Sequence, residues 1–116
     1  MPVSNAQQYI NAAVMQWPEV TAGLHRFGGL EWRIGAAEIG HIHGNSMVDI
    51  TFPSKVRDAL VAAGRAEPHH IYPEIGISLY LNKTADIERA IELLRISYSL
   101  IQERRARLAK HIPANS

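Results

Sequence analysis

Apolar positions recur along this chain with two different periods, and each switch of period marks an element. Ile10, Val14 and Trp17 line one face of a helix that Pro18 ends, and Ser4 and Gln7 have the spacing of a capping box at its start. Leu24 to Phe27, then Gly28-Gly29, then Leu30 to Ile34 read as two extended segments around a tight turn. In the second of these, Leu30, Trp32 and Ile34 alternate with Glu31 and Arg33, the period of a half-buried strand. Ala36 to His43 and Met47 to Phe52 form the next pair, joined by Gly44-Asn45-Ser46.

The helical period returns at Val56, Ala59, Leu60 and Ala63, with Ser54 as a candidate N-cap and Gly64 in the position that ends a helix. Glu67 to Glu74 carries two prolines and reads as a structured loop. Ile77, Leu79 and Leu81 alternate as a further strand, and a long final helix starts after Thr84 with the stripe Ile87, Ile91, Leu94, Tyr98 and Ile101. The predicted order is α-β-β-β-β-α-β-α. That order describes an α+β domain with a mostly antiparallel sheet of four to five strands and helices packed on one face. Residues 1–116 form one domain, and the basic segment 103–116 is expected to be a frayed tail.

Composition narrows the function classes. At 116 residues and 47% apolar content the chain supports one modest core. A formal charge of +1 gives no global field toward nucleic acid or anionic lipid, and the arginines after Gln102 suit the negative end of the last helix. Neither nucleic acid nor membrane is therefore an expected partner. The absence of cysteine excludes disulfides, thiolate metal sites and a cysteine nucleophile, and with no signal-like segment at the start it suits the cytoplasm. Leu93, Ile96 and Leu100 lie beside the main stripe of the last helix and could bury a second face in a homodimer.

The candidate chemistry is histidine. Four of the six histidines fall in two clusters, His41-Ile42-His43 and His69-His70. A three-residue loop at Gly44-Asn45-Ser46 pairs His43 with Met47, Ile42 with Val48 and His41 with Asp49. This register collects His41, His43, Asp49 and Thr51 on one face, with Gly40, Ile42, Val48 and Ile50 on the other. A two-residue loop would mix the faces. A carboxylate beside an imidazole raises its pKa and fixes its tautomer. The cluster admits three readings: a divalent metal site, metal-free acid–base chemistry on an organic ligand, or a solvated face on which histidines are tolerated. The metal-free reading is preferred. It assigns His41, His43, Asp49 and His70 to catalysis and Trp32, His69, Tyr72, Glu74 and Tyr80 to the ligand-binding walls, with a small-molecule ligand and no metal or other cofactor. The competing class is a non-catalytic interaction module.

The runs Glu38-Ile39-Gly40-His41-Ile42-His43-Gly44 and Val48 to Pro53, then Val56 to His70 with its Glu67-Pro68-His69-His70, then Pro73-Glu74-Ile75-Gly76 and Ala90 to Tyr98 resemble the luciferase-domain family. The resemblance spans about residues 30–100. The small stand-alone members of that family have no assigned reaction. In the fungal luciferases, which share the domain, it belongs to an oxygenase acting on a polyphenolic pyrone without a recognised metal or flavin. The resemblance implies His41, His43 and His70 near a ligand, with a histidine as base for an acidic phenol. It implies neither light emission nor the flavin chemistry of the unrelated bacterial luciferases. One departure stands out: the family carries an aromatic residue, usually Trp, after the glycine of Pro-x-x-Gly, where this chain has Ile77. His69-His70-Ile71-Tyr72-Pro73-Glu74 is also similar, more weakly, to the His-His-Pro-Glu-like motif of the pterin-carbinolamine dehydratases, whose later histidine is missing here.

Overall fold

The computed structural model describes residues 3–25 and 28–110. In chain order the elements are α1 (Ala6–Val14), β1 (Val20–Leu24), β2 (Leu30–Ile34), β3 (Ala37–His43), β4 (Met47–Thr51), α2 (Ser54–Ala62), β5 (Glu67–Pro68), β6 (Gly76–Tyr80) and α3 (Ala85–Lys110). The strands form one six-stranded sheet in the order β1-β2-β3-β4-β6-β5, with every neighbouring pair antiparallel. This is the expected α+β order with one addition. Glu67–Pro68, expected to be loop, adds a two-residue edge strand against Ile77 and Ser78. Proline is tolerated there because an edge strand leaves one row of donors unpaired.

The apolar alternation buries one face of this sheet under the helices. Trp32, Ile34, Ile42, Val48, Ile50, Ile77 and Leu79 meet Ile10, Val14, Leu93, Leu94 and Tyr98 in one core. Gly40 lets α3 approach closely: a Cβ there would stand 2.7 Å from Leu94 Cδ2 and 3.2 Å from the Asp49 carbonyl oxygen. Two polar groups drawn into this layer are paired. The Trp32 indole N–H donates to Asn11 Oδ1 at 2.9 Å, and Ser97 Oγ donates to the Ile39 carbonyl at 2.7 Å. Leu93 lies within the core, and Ile96 and Leu100 pack against it partly buried.

Several local expectations shift. No side-chain cap closes α1 from Ser4; the residue before the helix is Asn5 in the left-handed region, and the Gln7 amide donates to Asn45 Oδ1 in the β3–β4 turn. The first strand lies earlier than Leu24–Phe27, and Arg26 and Phe27 are outside the described residues. Ser54 is the first residue of α2 rather than its cap, and Gly64 takes the positive φ that ends that helix. The basic segment continues α3 unbroken to Lys110, while residues 111–116 lie outside the described ones. No helix among the described residues is long and apolar enough to cross a membrane.

Candidate functional site

The open face of the sheet carries the histidines. The observed register pairs His41 with Asp49, Ile42 with Val48 and His43 with Met47, as the three-residue loop requires. Antiparallel pairing of β4 with β6 places Ser78 opposite Asp49. A bulge between β2 and β3 then changes the membership of this face. Trp32 pairs with Gly40 but Arg33 pairs with Glu38, so Ile39 is the extra residue. The shift of one position turns Glu38 onto the same face as His41, and its carboxylate accepts from His41 Nδ1 at 2.9 Å.

Asp49 is the centre of the arrangement, with its side chain only 1% exposed. Its Oδ2 lies 2.9 Å from His43 Nε2, 3.4 Å from His41 Nε2 and 3.5 Å from His69 Nε2. Its Oδ1 accepts from Ser78 Oγ at 2.6 Å and lies 3.7 Å from His70 Nδ1. Both histidine clusters therefore converge on one buried carboxylate. His25 joins from the end of β1, its ring stacked on His41 at 4.0 Å between centroids.

The loop after β5 holds His69 and His70. The His69 amide donates to the Gly76 carbonyl at 3.0 Å. Gly76 also leaves room for the ring, since a Cβ there would be 3.3 Å from His69 Cβ and Cδ2. His69 Nδ1 accepts the amides of Ile71 and Tyr72, each at 3.0 Å. Its proton is consequently on Nε2, aimed at Asp49. The rings of His69 and His70 stack at 4.5 Å.

These contacts set the charges. Burial alone would neutralise His41, but its hydrogen bonds to Asp49 and Glu38 raise its pKa to about 9 and make it an imidazolium at neutral pH. Burial also works against the charge on Asp49. The His41 and Ser78 hydrogen bonds, with His69 and His43, overcome it and hold that carboxyl well below its usual range. Glu38 is lowered in the same way against its burial, chiefly by its bond to His41. His25 and His69 move down, first through burial and then against their attraction to nearby carboxylates; the cationic His41 adds to the fall in both.

A cavity of about 470 Å³ opens over this network. His25, Glu38, His41, His43, Asp49, His69 and His70 form its polar floor, and Ile71, Tyr72 and Ile75 form an apolar rim. Of the residues singled out from the sequence, His41, His43, Asp49, His69, His70 and Tyr72 line this cavity together. Trp32 does not: it is fully buried on the opposite face, because period-2 alternation sets it with Gly40 under the helices. Glu74 is exposed on the loop and Tyr80 faces a separate hollow beside Lys83 and Arg89; neither lines the histidine cavity. Ile77 is buried in the helix-covered layer and does not line the cavity. Sequence reasoning missed Glu38, His25 and Ser78. Ser78 was legible in principle, since it alternates with Ile77 and Leu79 on a strand beside the histidine hairpin.

Among the described residues, three sets of potential metal ligands have their donor atoms within 4.8 Å of one another: His25, Glu38 and His41; His41, His43 and Asp49; and Asp49, His69 and His70. The hydrogen bonds restrict them. His69 Nε2 bears the proton that its two amide contacts leave there, so it offers no lone pair. An ion among His41, His43 and Asp49 would have to displace protons that both imidazoles now donate to carboxylates.

Fold and site together define an open-faced α+β sandwich whose uncovered sheet face is a histidine-floored, apolar-rimmed cavity. The luciferase-domain family model matches residues 36–97, more than half of the chain, and the chain belongs to that family. No curated protein and no solved structure matches it.

Proposed function

We propose that the cavity binds a small aromatic or enolisable molecule and moves a proton on it, using histidine and carboxylate groups without a metal. The observation that carries this reading is the convergence of four imidazoles and a serine on the buried Asp49, beneath a cavity of about 470 Å³. That volume is within the range of small-ligand sites, roughly 300–1,000 Å³. Ile71, Tyr72 and Ile75 offer apolar contact to a planar ligand, while His43 and His70, each with a side chain 33% exposed, are lining residues open to it. His41, cationic in the cavity floor, favours a ligand that carries or develops negative charge, such as a phenolate or enolate. The luciferase domain of the fungal enzymes acts on a molecule of that chemical character, which supports the same class of ligand here.

The test is a histidine-resolved NMR titration of the purified protein, repeated with Zn²⁺ and with EDTA. His41 is expected to titrate near 9, coupled to its neighbours and indifferent to EDTA. Independent titration of all four site histidines near 6.5 would remove the site and favour a non-catalytic module. Zinc-dependent shifts confined to His41 and His43 would turn the reading to a metalloprotein.

A further inference from the structure

The two adjacent histidines of the loop are held with their protons on opposite nitrogens. For His69 the two backbone amides on Nδ1 leave the proton on Nε2. The corresponding constraint on His70 comes from Ser78, a fully buried residue. Ser78 Oγ donates its one proton to Asp49 Oδ1 at 2.6 Å, a short bond to an ionised acceptor. It then has only lone pairs to offer. It takes the His70 amide at 3.4 Å and faces His70 Nδ1 at 3.3 Å, a contact that is attractive only if Nδ1 carries hydrogen. With Nδ1 protonated, neutral His70 keeps its lone pair on Nε2.

We propose that Ser78, anchored by Asp49, is a positioning residue that fixes His70 as its Nδ1–H tautomer, so that His70 Nε2 is the proton acceptor for a ligand O–H or enolisable C–H in the cavity. The assignment rests on the cavity being a ligand site, as set out above. In the step, the ligand's O–H or C–H bond breaks and an N–H bond forms at His70 Nε2. The electron pair stays on the ligand as phenolate or enolate, and His70 becomes an imidazolium whose Nδ1–H still points at Ser78. No oxidant, reductant or second reactant is involved. His69, stacked on His70, holds its own Nε2–H toward Asp49 and so does not compete for the ligand's proton. Ordering an acid, a serine and an imidazole in this way fixes the base before a ligand arrives.

Two measurements test this. The first is long-range ¹⁵N–¹H correlation of the ligand-free protein above the histidine transitions. It is expected to show His69 with its proton on Nε2 and His70 with its proton on Nδ1. Ser78→Ala should return His70 to the mixed or Nε2–H population of a free imidazole, and Ser78→Thr, which keeps the hydroxyl, should preserve the wild-type pattern. The second uses 4-nitrophenol, whose absorption reports its ionisation. Wild-type protein should raise the phenolate-to-phenol ratio of bound probe on the order of tenfold, one pKa unit. Ser78→Ala and His70→Gln should bind the probe and lose most of that increase, the cationic His41 accounting for what remains. An Nε2–H His70 in the wild type, or phenolate formation undiminished in His70→Gln, overturns the assignment while leaving the cavity as a binding site. Failure of the wild type to bind 4-nitrophenol, with the tautomers as expected, instead counts against the ligand-site reading and removes the base role with it.

Discussion

The helix-covered face of the sheet and its open face are made of alternate residues of the same strands, yet they are held together by opposite means. Under the helices, Trp32, Ile42, Val48 and Ile77 are fully buried, and the Trp32 indole and the Ser97 hydroxyl each donate to one neutral acceptor. On the open face, Asp49 is as inaccessible as that core but is surrounded by imidazoles and a hydroxyl. The first face derives its stability from apolar area and packing, a contribution with little dependence on pH. The second depends on a balance between desolvation and ion pairing, which shifts with every proton gained or lost. A fold that needed only stability would have no reason to bury a carboxylate on the face where no helix lies. That contrast is what makes the open face the candidate site.

The largest expected effect lies on the covered face. Trp32→Ala removes the biggest buried side chain and leaves Asn11 Oδ1 without its donor, and should cost about 3–5 kcal/mol in urea unfolding at neutral pH. The loss should be nearly constant between pH 6 and 9. If it instead varied strongly over that interval, the two faces would not be energetically separate.

The next effect belongs to the open face and appears only as a pH dependence. His41 has a raised pKa, so its contribution is fully present below 6.5 and is lost as pH rises to about 9. At about 1.4 kcal/mol per unit this amounts to about 3 kcal/mol. His25 and His69 have lowered values, so they act in the other direction. Their contribution is present above 6.5 and is lost as pH falls, because the unfolded chain takes up protons that the folded chain refuses. Asp49 adds a further loss below about its ordinary value of 3.8. Unfolding free energy should therefore peak near pH 6.5 and decline on both sides. His41→Gln should abolish most of the alkaline decline and leave the acid limb. A variant that merely lowered the whole curve would show that His41 acts through packing and not through charge.

How far each face was legible from sequence follows from this difference. The covered face repeats a simple period, so Ile10, Val14, Leu94 and Tyr98 could be assigned to a core and the sheet to one side of the helices. Loop length at Gly44-Asn45-Ser46 was enough to set the register that joins His41 to Asp49. Convergence of His69 and His70 on the same carboxylate was not legible, because it depends on β6 inserting beside β4 with the loop folded back through Gly76. Glu38 was hidden by the bulge at Ile39: strict alternation assigns it to the covered face, and one extra residue reverses that. Trp32 was misplaced because an aromatic on a strand suits a ligand wall and a core equally well, and only the partner across the sheet decides between them. The α1 cap was sought among neighbours in sequence, whereas Asn45 supplies it from the hairpin turn.

The smallest expected effect on stability is the sharpest on function. Tyr72 is 57% exposed on the cavity rim, beside Ile71 and Ile75, which are exposed at 61% and 51%. Its ring centroid is 5.7 Å from that of His69, so it borders the histidine pair from above without being packed into the fold. Tyr72→Ala should change unfolding free energy by about 0.5 kcal/mol or less, the ordinary range for an exposed position. The Tyr72 amide donates to His69 Nδ1 through the backbone, so the substitution leaves the tautomer of His69 in place. Affinity for 4-nitrophenol, measured by equilibrium titration, should nonetheless fall by roughly fivefold to tenfold, the loss of about 1 kcal/mol of aromatic contact. Such a variant would separate holding the ligand from moving its proton: binding weakens while the phenolate fraction of the bound probe stays at the wild-type value. Unchanged affinity would mean that the rim is only exposed surface, and the ligand would then have to be held by the polar floor alone.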